Sequence, residues 1–497
     1  MKSVENIHEP GAAKAEQSRA DGDLLRAVVA VCSDVLGLDT APDDEFSDVC
    51  QDLYDASHIV GLLNQWLGCT MVVSQLFQEG TPRRLAAALH GTEVPHFSPE
   101  IRERREGQGT GTAATENQTS GEAPWRKFWE TTYRFSGPEE NGGLNKAGWF
   151  SSRTLTPLPD DYMREWVDTT SARIASLEPR SILDVGCGVG LFLFELGPRC
   201  SRYTGTDFSV EAVERTRERL EHDGALSHID VLAADARDTA RLVDGPYDLV
   251  LLNSVVQYFP NMAYLREVLT GLVDTAGNDG IFFLGDIRNR DLHRAAHLSL
   301  VRGELPPGTP VERVRSTVER SMAQDPALLI GPTAMAETVA GIGPGLRCHT
   351  LVRRGSHPSE MNRFRYDAVL SSGTPARRTA QHDVRWDPAT APRPLVDLLT
   401  RAFDENLESL LVRGAPDARN FVDARLAETI DAAPAGTTLE QAIKATGSVD
   451  QVDPEDVWEL GGDRGYGVAV APSADPGYVD IALCGGGDDW AAAALLP

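Results

Sequence analysis

The sequence is short of basic residues. In 497 residues, 47 Lys and Arg stand against 74 Asp and Glu, which leaves a formal net charge of -27 at pH 7, and no dense Lys/Arg cluster interrupts this excess of acid. Proteins that bind nucleic acid do so largely through contacts between basic side chains and phosphates. We therefore expect no nucleic-acid partner.

Cysteines and long apolar runs are also scarce. The seven cysteines lie far apart, and none has Cys-x-x-Cys spacing, which suits reduced thiols and indicates no metal site. No apolar run approaches the length of a membrane span, and residues 1–21 lack the apolar core of a signal peptide. These absences predict a cytoplasmic chain without a membrane partner.

A glycine-rich stretch follows a short apolar run (Ile182, Leu183 and Val185), with Gly186, Gly188 and Gly190 at alternate positions. An apolar run, a glycine turn and a second apolar segment predict strand, tight turn and helix. The dinucleotide fingerprint needs its third glycine one residue later, where Leu191 stands. The spacing therefore favours S-adenosylmethionine over NAD or FAD, although turns also use glycine for steric reasons alone.

Polar residues end the strands predicted after the glycine turn. Asp207 is placed to accept from ribose hydroxyls and Asp235 from an adenine amino group, while each alone is also a possible helix N-cap. Two later strands end at Asn253 and Asp286. Five strands separated by helix-like stretches predict an α/β fold, with a Rossmann-like parallel sheet that binds its ligand along the carboxyl edge.

Residues 22–92 have the apolar spacing of a small helical bundle. This segment resembles the acyl and peptidyl carrier domains of modular synthases, above all in residues 45–49 and 76–82. Carriers hold phosphopantetheine on a serine at the start of their second helix, and Leu53 stands at that place. We interpret the segment as a degenerate carrier domain kept for docking; the alternatives are attachment at Ser57, one turn on, or an unrelated bundle.

Further motifs surround the glycine turn. They are Trp149–Ser152, Met163–Val167, Leu183–Gly190, Tyr203–Asp207, Asn253–Pro260, Gly285–Arg288, Asn362–Asp367, Leu411–Arg419 and Val452–Leu460. Together they resemble the methyltransferase domains embedded in nonribosomal peptide synthetases. The resemblance implies a class I S-adenosylmethionine-dependent methyltransferase that acts on an amino acid held as a carrier thioester, commonly on its amine. Adenylation signatures are absent, so we interpret the domain as freestanding.

These observations predict a domain organisation. It comprises a flexible tail (1–21), an all-α carrier-like bundle (22–92), a linker (93–124), the methyltransferase domain with lid and insertion (125–374) and an α+β appendage (375–497). In the insertion, helices are predicted over 292–300 and 311–322. In the appendage, the pattern predicts a helix over 395–411 and strands over 468–471 and 478–483.

The glycine turn, the strand ends and the resemblance together give the predicted cofactor site. Its residues are Trp149, Asp184, Gly186, Gly188, Gly190, Asp207, Phe208, Asp235, Ala236, Asn253 and Gln257. The cofactor is S-adenosylmethionine, or S-adenosylhomocysteine after the reaction. Trp149 belongs to an aromatic-rich stretch that suits a lid, although a single aromatic is more often packing for the sheet.

Methyl transfer needs an aligned nucleophile and, for an amine, loss of a proton. Tyr258 is a candidate to orient the acceptor, and Asp286, His293 and Glu360 are candidate proton acceptors or amine ligands. Arg288 would hold a carboxylate or a pantetheine phosphate, or would simply pair with Asp286. No metal is expected.

The sequence thus predicts a methyltransferase of natural-product biosynthesis whose amino-acid-derived substrate is presented by a separate carrier protein, with N-methylation as the expected reaction. One alternative keeps the cofactor but catalyses another displacement, such as ring closure on a carrier-bound amine. A third is a non-catalytic docking subunit. The glycines and Asp207 argue against the last, because a scaffold has no need of a cofactor site.

Overall fold

The structure is a computed structural model of the chain. It describes residues 10–50, 53–67, 71, 73–89, 126, 129–130, 132–133, 144–146, 148–149, 151 and 158–496, except 223–225, 278, 324, 344, 372–377 and 388–393. The chain divides into two compact units, Met1–Pro159 and Asp160–Pro497. The predicted linker, 93–124, and residues 1–9 lie outside the described residues.

The first unit contains a small helical bundle, as the sequence predicts for this segment. Its helices are α1 (Pro10–Leu36), α2 (Phe46–Val49), α3 (Leu53–Leu67), α4 (Val73–Glu79) and α5 (Pro82–Ala88). Buried apolar side chains of α1 and α3, such as Val28 and Leu63, form its core. Helix α1 begins within the segment predicted as a tail. Leu53 is the first residue of α3, and the side chain of Ser57 lies outside the described residues.

The second unit is built on a seven-stranded sheet with the order β3-β2-β1-β4-β5-β7-β6. Its strands are β1 (Ser181–Val185), β2 (Arg202–Asp207), β3 (Ile229–Ala233), β4 (Leu249–Asn253), β5 (Ile281–Arg288), β6 (Arg347–Val352) and β7 (Arg365–Ser371). The first five, all predicted from the sequence, pair in parallel, whereas β7 is antiparallel to both neighbours. The predicted Rossmann-like class is confirmed, and β6 and β7 extend the sheet beyond the prediction.

Helices cover the sheet and extend beyond it. They are α6 (Asp160–Ala175), α7 (Leu191–Leu196), α8 (Val210–Glu221), α9 (Thr239–Leu242), α10 (Met262–Ala276), α11 (His293–Arg302), α12 (Val311–Ala323), α13 (Pro332–Ala340) and α14 (Glu360–Phe364). Buried residues of β1, β4, β5 and β7 meet α10 in the main core. Helices α11 and α12 confirm the two helices predicted between β5 and the Arg363 motif.

A second sheet, of four strands in the order β10-β11-β9-β8, lies in the predicted appendage. Its elements are β8 (His382–Arg385), α15 (Leu395–Asp404), β9 (Ser409–Pro416), α16 (Phe421–Ala432), α17 (Leu439–Thr446), α18 (Pro454–Gly462), β10 (Tyr466–Pro472), β11 (Tyr478–Gly485) and α19 (Asp489–Ala493). Both strands predicted here are confirmed.

The helix predicted over 395–411 is wrong in its second half. Helix α15 ends at Asp404, and Asn406 has a φ of 53°. A left-handed residue cannot continue a right-handed helix. The apolar residues 410–412 that suggested helix instead form the buried strand β9.

In the described part of the chain, no helix combines the length and apolar character needed to cross a membrane.

Candidate active site

Alternate residues in the turn after β1 have a left-handed backbone conformation. Gly186, Gly188 and Gly190 have φ angles of 80°, 54° and 84°, which side chains with a Cβ adopt only at a cost. A Cβ on Gly186 would also stand 2.5 Å from a methyl carbon of Val255. These positions therefore require glycine, and the backbone of the turn is open to close approach by a ligand.

Asp207, the last residue of β2, holds the turn in place. One carboxylate oxygen accepts from the backbone N–H of Gly188 at 2.9 Å, and the other accepts from the N–H of Ser209 at 2.8 Å. The residue is 4% exposed. Asp207 therefore links the ends of β1 and β2, at the position where a nucleoside ribose was predicted.

Asp184 is buried beneath the turn. Its carboxylate accepts from the Tyr203 hydroxyl at 2.8 Å. Burial raises the pKa of Asp184 to about 7; the Tyr203 hydrogen bond opposes this shift, and Asp207 adds to it. The carboxyl is thus largely protonated in the folded protein at mildly acidic pH, where the unfolded chain would ionise it.

This difference predicts a pH-dependent effect of Asp184→Asn. Between pH 5 and 7 the carboxyl is ionised in the unfolded chain but still largely protonated in the folded protein. Unfolding therefore releases a proton, and the wild-type free energy of unfolding falls by about 2–3 kcal/mol from this group as pH rises through this range. The variant lacks this loss. Denaturant unfolding should therefore show that the variant is more stable relative to the wild type at pH 8 than at pH 5. The exposed control Asp238→Asn should show no such shift; an equal shift in both variants would contradict the assignment.

Asp235 follows β3 and is positioned by α10. Asn261 caps this helix by accepting from the N–H of Tyr264, whose hydroxyl donates to Asp235 at 2.8 Å. Phe208 and Ala236 are partly buried after β2 and β3. The predicted cofactor residues of the second unit thus lie along one sheet edge, because they follow the carboxyl ends of parallel strands. Trp149 lies in the first unit.

Two amide side chains after β4 have buried oxygens without a hydrogen-bond partner among the described residues. They are Oδ1 of Asn253 and Oε1 of Gln257, in residues that are 7% and 4% exposed. A Cβ on Gly285, in the neighbouring strand β5, would stand 1.9 Å from Asn253 Oδ1. Buried acceptors are normally satisfied, so this pair indicates a place for a ligand that donates hydrogen bonds.

Asp286 lies on β5 and is fully buried. One of its oxygens accepts from the Arg365 guanidinium and from the Ser254 hydroxyl, both at 2.6 Å. Ser254 and Asp286 have φ angles of 57° and 63°, an uncommon conformation for residues with a side chain. The carboxylate of Asp286 is thus held by Arg365 and Ser254.

The other predicted catalytic residues are connected to this pair. Glu360 accepts from Arg365 at 3.2 Å. Burial raises the pKa of Tyr258 to about 12, with Arg365 and Asp286 as neighbouring charges that act in opposite directions. Tyr258 is therefore a neutral hydroxyl at physiological pH. It is suited to orient an acceptor by hydrogen bonding rather than to remove a proton.

The predicted alternative that Arg288 pairs with Asp286 is wrong. Its guanidinium instead donates to both oxygens of Asp325, with NH1 to Oδ1 at 2.8 Å. His293 lies 3.9 Å from the same carboxylate. All five predicted catalytic residues are thus connected, through Arg365 and Asp325, to one region at the carboxyl ends of β4 and β5.

Comparisons with known proteins agree with this geometry. Residues 183–282 match a family model described as a methyltransferase domain, and residues 26–89 match one described as a phosphopantetheine attachment site. The chain carries a methyltransferase domain. Both domain types predicted by the sequence resemblance are confirmed.

About half of the chain is similar to parts of much longer synthetases. A probable nonribosomal peptide synthetase from Salinispora arenicola is 36% identical over 249 residues, which are 50% of this chain and 3% of that protein. Chondramide synthase from Chondromyces crocatus is 34% identical over 257 residues, 51% of this chain and 6% of that protein. The chain therefore spans only a small share of these relatives.

One solved methyltransferase structure aligns with about half of this chain. Magnesium protoporphyrin IX methyltransferase from Synechocystis is 13% identical, and the alignment covers 52% of this chain and 99% of that one with a TM-score of 0.33.

S-adenosylmethionine fits the residues present in the methyltransferase domain. The left-handed glycines leave backbone open beside a ligand, and Asp207 and Asp235 place carboxylates after β2 and β3. The unsatisfied amide oxygens of Asn253 and Gln257 lie after β4. The glycine turn, Asp207 and Asp235 would hold the cofactor, with its ribose at Asp207 and its adenine at Asp235. Asn253 and Gln257 would lie beside its methyl group.

Several residues of the methyltransferase site were missed at the sequence level. Arg365 lies within a motif noted there, but its pairing with Asp286 crosses 79 positions of the chain. Asp325 carries no local signal, whereas His297 lies four residues after His293, a spacing that places both on one helix face. Ser254 directly follows Asn253, so its place at the end of β4 was predictable, but its left-handed backbone conformation was not.

Proposed function

We propose that this chain transfers a methyl group from S-adenosylmethionine to the amine of an amino-acid-derived substrate carried as a thioester by a separate carrier protein. The proposal that the methyl acceptor is an amine is based on two buried amide oxygens without a hydrogen-bond partner, those of Asn253 and Gln257. An amine supplies N–H donors for both. A hydroxyl nucleophile supplies one donor, and a carbon nucleophile without N–H or O–H supplies none.

The two oxygens would also align the nucleophile. When an amine donates its N–H groups to fixed carbonyl oxygens, its lone pair points away from them and toward the methyl group. Bound S-adenosylmethionine supplies that methyl group in activated form, so positioning is the main task of the protein. The neutral Tyr258 hydroxyl adds a further polar contact close to Gln257.

Proton removal requires no strong base in this scheme. An α-amine has a pKa of about 7.7–8.0 in water, so a large fraction is neutral at mildly basic pH before it binds. The buried pocket disfavours the charged ammonium form further. Methylation is therefore expected to speed up as pH rises through this range.

The carrier-bound form of the substrate is proposed from the carrier-like first domain and from similarity to the synthetases. Leucine at position 53 has no hydroxyl to take a phosphopantetheine arm. The substrate would thus arrive on another protein, with the first domain serving as a docking element. Incubation with a phosphopantetheinyl transferase and coenzyme A should leave the mass of this chain unchanged, whereas an adduct on Ser57 would place the substrate on the chain itself.

Methyl-labelled S-adenosylmethionine tests the reaction. With an aminoacyl group on a separate carrier protein, label should appear on the substrate nitrogen. Gln257→Met should lower the rate by about tenfold to a hundredfold, because the amine loses one fixed contact, while Gln451→Met in the appendage serves as the control. Label on carbon or oxygen would refute the amine assignment, and an altered product without label would indicate a displacement other than methylation.

A further inference from the structure

Two histidines lie one turn apart on helix α11, in the sequence His293-Arg-Ala-Ala-His297. Residues four apart share a helix face, and the ring centroids of this pair are 4.4 Å apart. Both are buried, at 8% and 5% exposure. Paired buried imidazoles at this spacing are a known arrangement for metal ligands.

Asp325, just after α12, completes a cluster with the two histidines. Its Oδ2 lies 3.2 Å from His297 Nε2 and 3.9 Å from His293 Nδ1. One possible ligand atom from each residue lies within 4.8 Å of the other two. The 3.2 Å edge suits two ligands of one tetrahedral ion, whose bonds are about 2.0–2.2 Å long, and His293 needs only a small side-chain shift to join them.

Each of the three side chains has a partner behind it. Nδ1 of His297 lies 2.7 Å from the Ser321 hydroxyl, and His293 makes a hydrogen bond with the backbone of Met322. Asp325 Oδ1 accepts from the N–H of Ala327 at 3.1 Å. Such outer partners orient imidazole and carboxylate ligands in metal sites.

We propose that His293, His297 and Asp325 bind a divalent transition-metal ion and leave a fourth position open. Two imidazoles and one carboxylate form a ligand set that suits zinc or ferrous iron. The site adjoins Arg288, one of the predicted catalytic residues. This proposal departs from the sequence expectation of no metal, which was based on cysteine spacing.

Arg288 provides a sharp test because it opposes the cation. Its guanidinium holds both oxygens of Asp325, although a carboxylate has lone pairs enough for an arginine and a metal together. Replacing Arg288 with methionine removes a nearby positive charge and a competitor. Metal affinity should then rise, by about tenfold or more.

The experiment is a calorimetric titration of the full chain with zinc chloride after treatment with a chelator. We expect one zinc ion per chain, an affinity at least about tenfold lower in His297→Ala and Asp325→Asn, and no change in His382→Ala, an exposed histidine. Ser321→Ala should weaken zinc binding by about tenfold to a hundredfold without removing a ligand. This variant replaces His297→Ala as the test if His297→Ala fails to fold.

Absence of stoichiometric zinc binding by the wild type would overturn the proposal. Equal affinity in the wild type and folded His297→Ala would do the same, since the zinc would then be held elsewhere, for example by cysteines. Weaker binding by Arg288→Met would also contradict an ion held on Asp325. Circular dichroism of each variant separates lost binding from lost folding.

Discussion

Asp207→Ala should reduce the affinity for S-adenosylhomocysteine by about a hundredfold or more. The change removes the proposed ribose acceptor and leaves the backbone N–H groups of Gly188 and Ser209 without the carboxylate that now accepts from them. A hydrogen bond to a charged group contributes about 1.5–3 kcal/mol, and each 1.4 kcal/mol corresponds to about a tenfold change in affinity. Isothermal titration of the product into the purified variant measures the loss.

The matched control is Asp238→Ala, which removes an exposed carboxylate of the same unit that pairs with Arg241, three residues on. It should bind S-adenosylhomocysteine like the wild type. If folded Asp207→Ala retained wild-type affinity, the nucleoside would not lie over the end of β2, and the proposed cofactor site would be wrong.

Asp367→Ala should destabilise the second unit by about 3–5 kcal/mol, the usual cost of breaking a buried ion pair by removing one partner. Asp367 is 1% exposed. One of its oxygens accepts from Arg353 and from the backbone N–H of Asp286, each at 3.0 Å, and the other accepts from Arg173 at 2.6 Å. Without it, two buried guanidinium groups lose their shared anion.

Denaturant unfolding monitored by circular dichroism tests this expectation. The control is Asp404→Ala, whose carboxylate is 62% exposed and pairs with Arg464; loss of such a surface pair costs about 1 kcal/mol or less. Similar unfolding midpoints for the two variants would mean that the buried network contributes no more than a surface pair.

The Asp367 network also supports the acceptor region. The Asp367 carboxylate accepts the N–H of Asp286, and Asp286 in turn holds Arg365 beside Glu360. A milder variant, Asp367→Asn, should therefore lower methyl transfer more than cofactor binding. Asp207→Ala should show the opposite pattern, because its carboxylate holds the glycine turn rather than the Asp286 region.

Prediction from the sequence worked best where the signal was local. The glycine turn, the five parallel strands and the two helices of the insertion each depend on residues close together in the chain, through steric freedom or apolar periodicity. It failed at residues 405–411, because an apolar run of that length suits a helix or a buried strand equally well. Residues 409–416 form a strand because they pair with β8 and β11.

The sequence by itself determined the type of domain and the edge of the sheet that carries the predicted cofactor residues, since these follow from the order of strands, glycines and acids. Only the tertiary structure decided the charge partners. It paired Asp286 with Arg365 rather than Arg288, and it brought Asp325 to His297. The physical reason is that an ion pair depends on distance in space, and the chain order of distant acids and bases does not specify which of them meet.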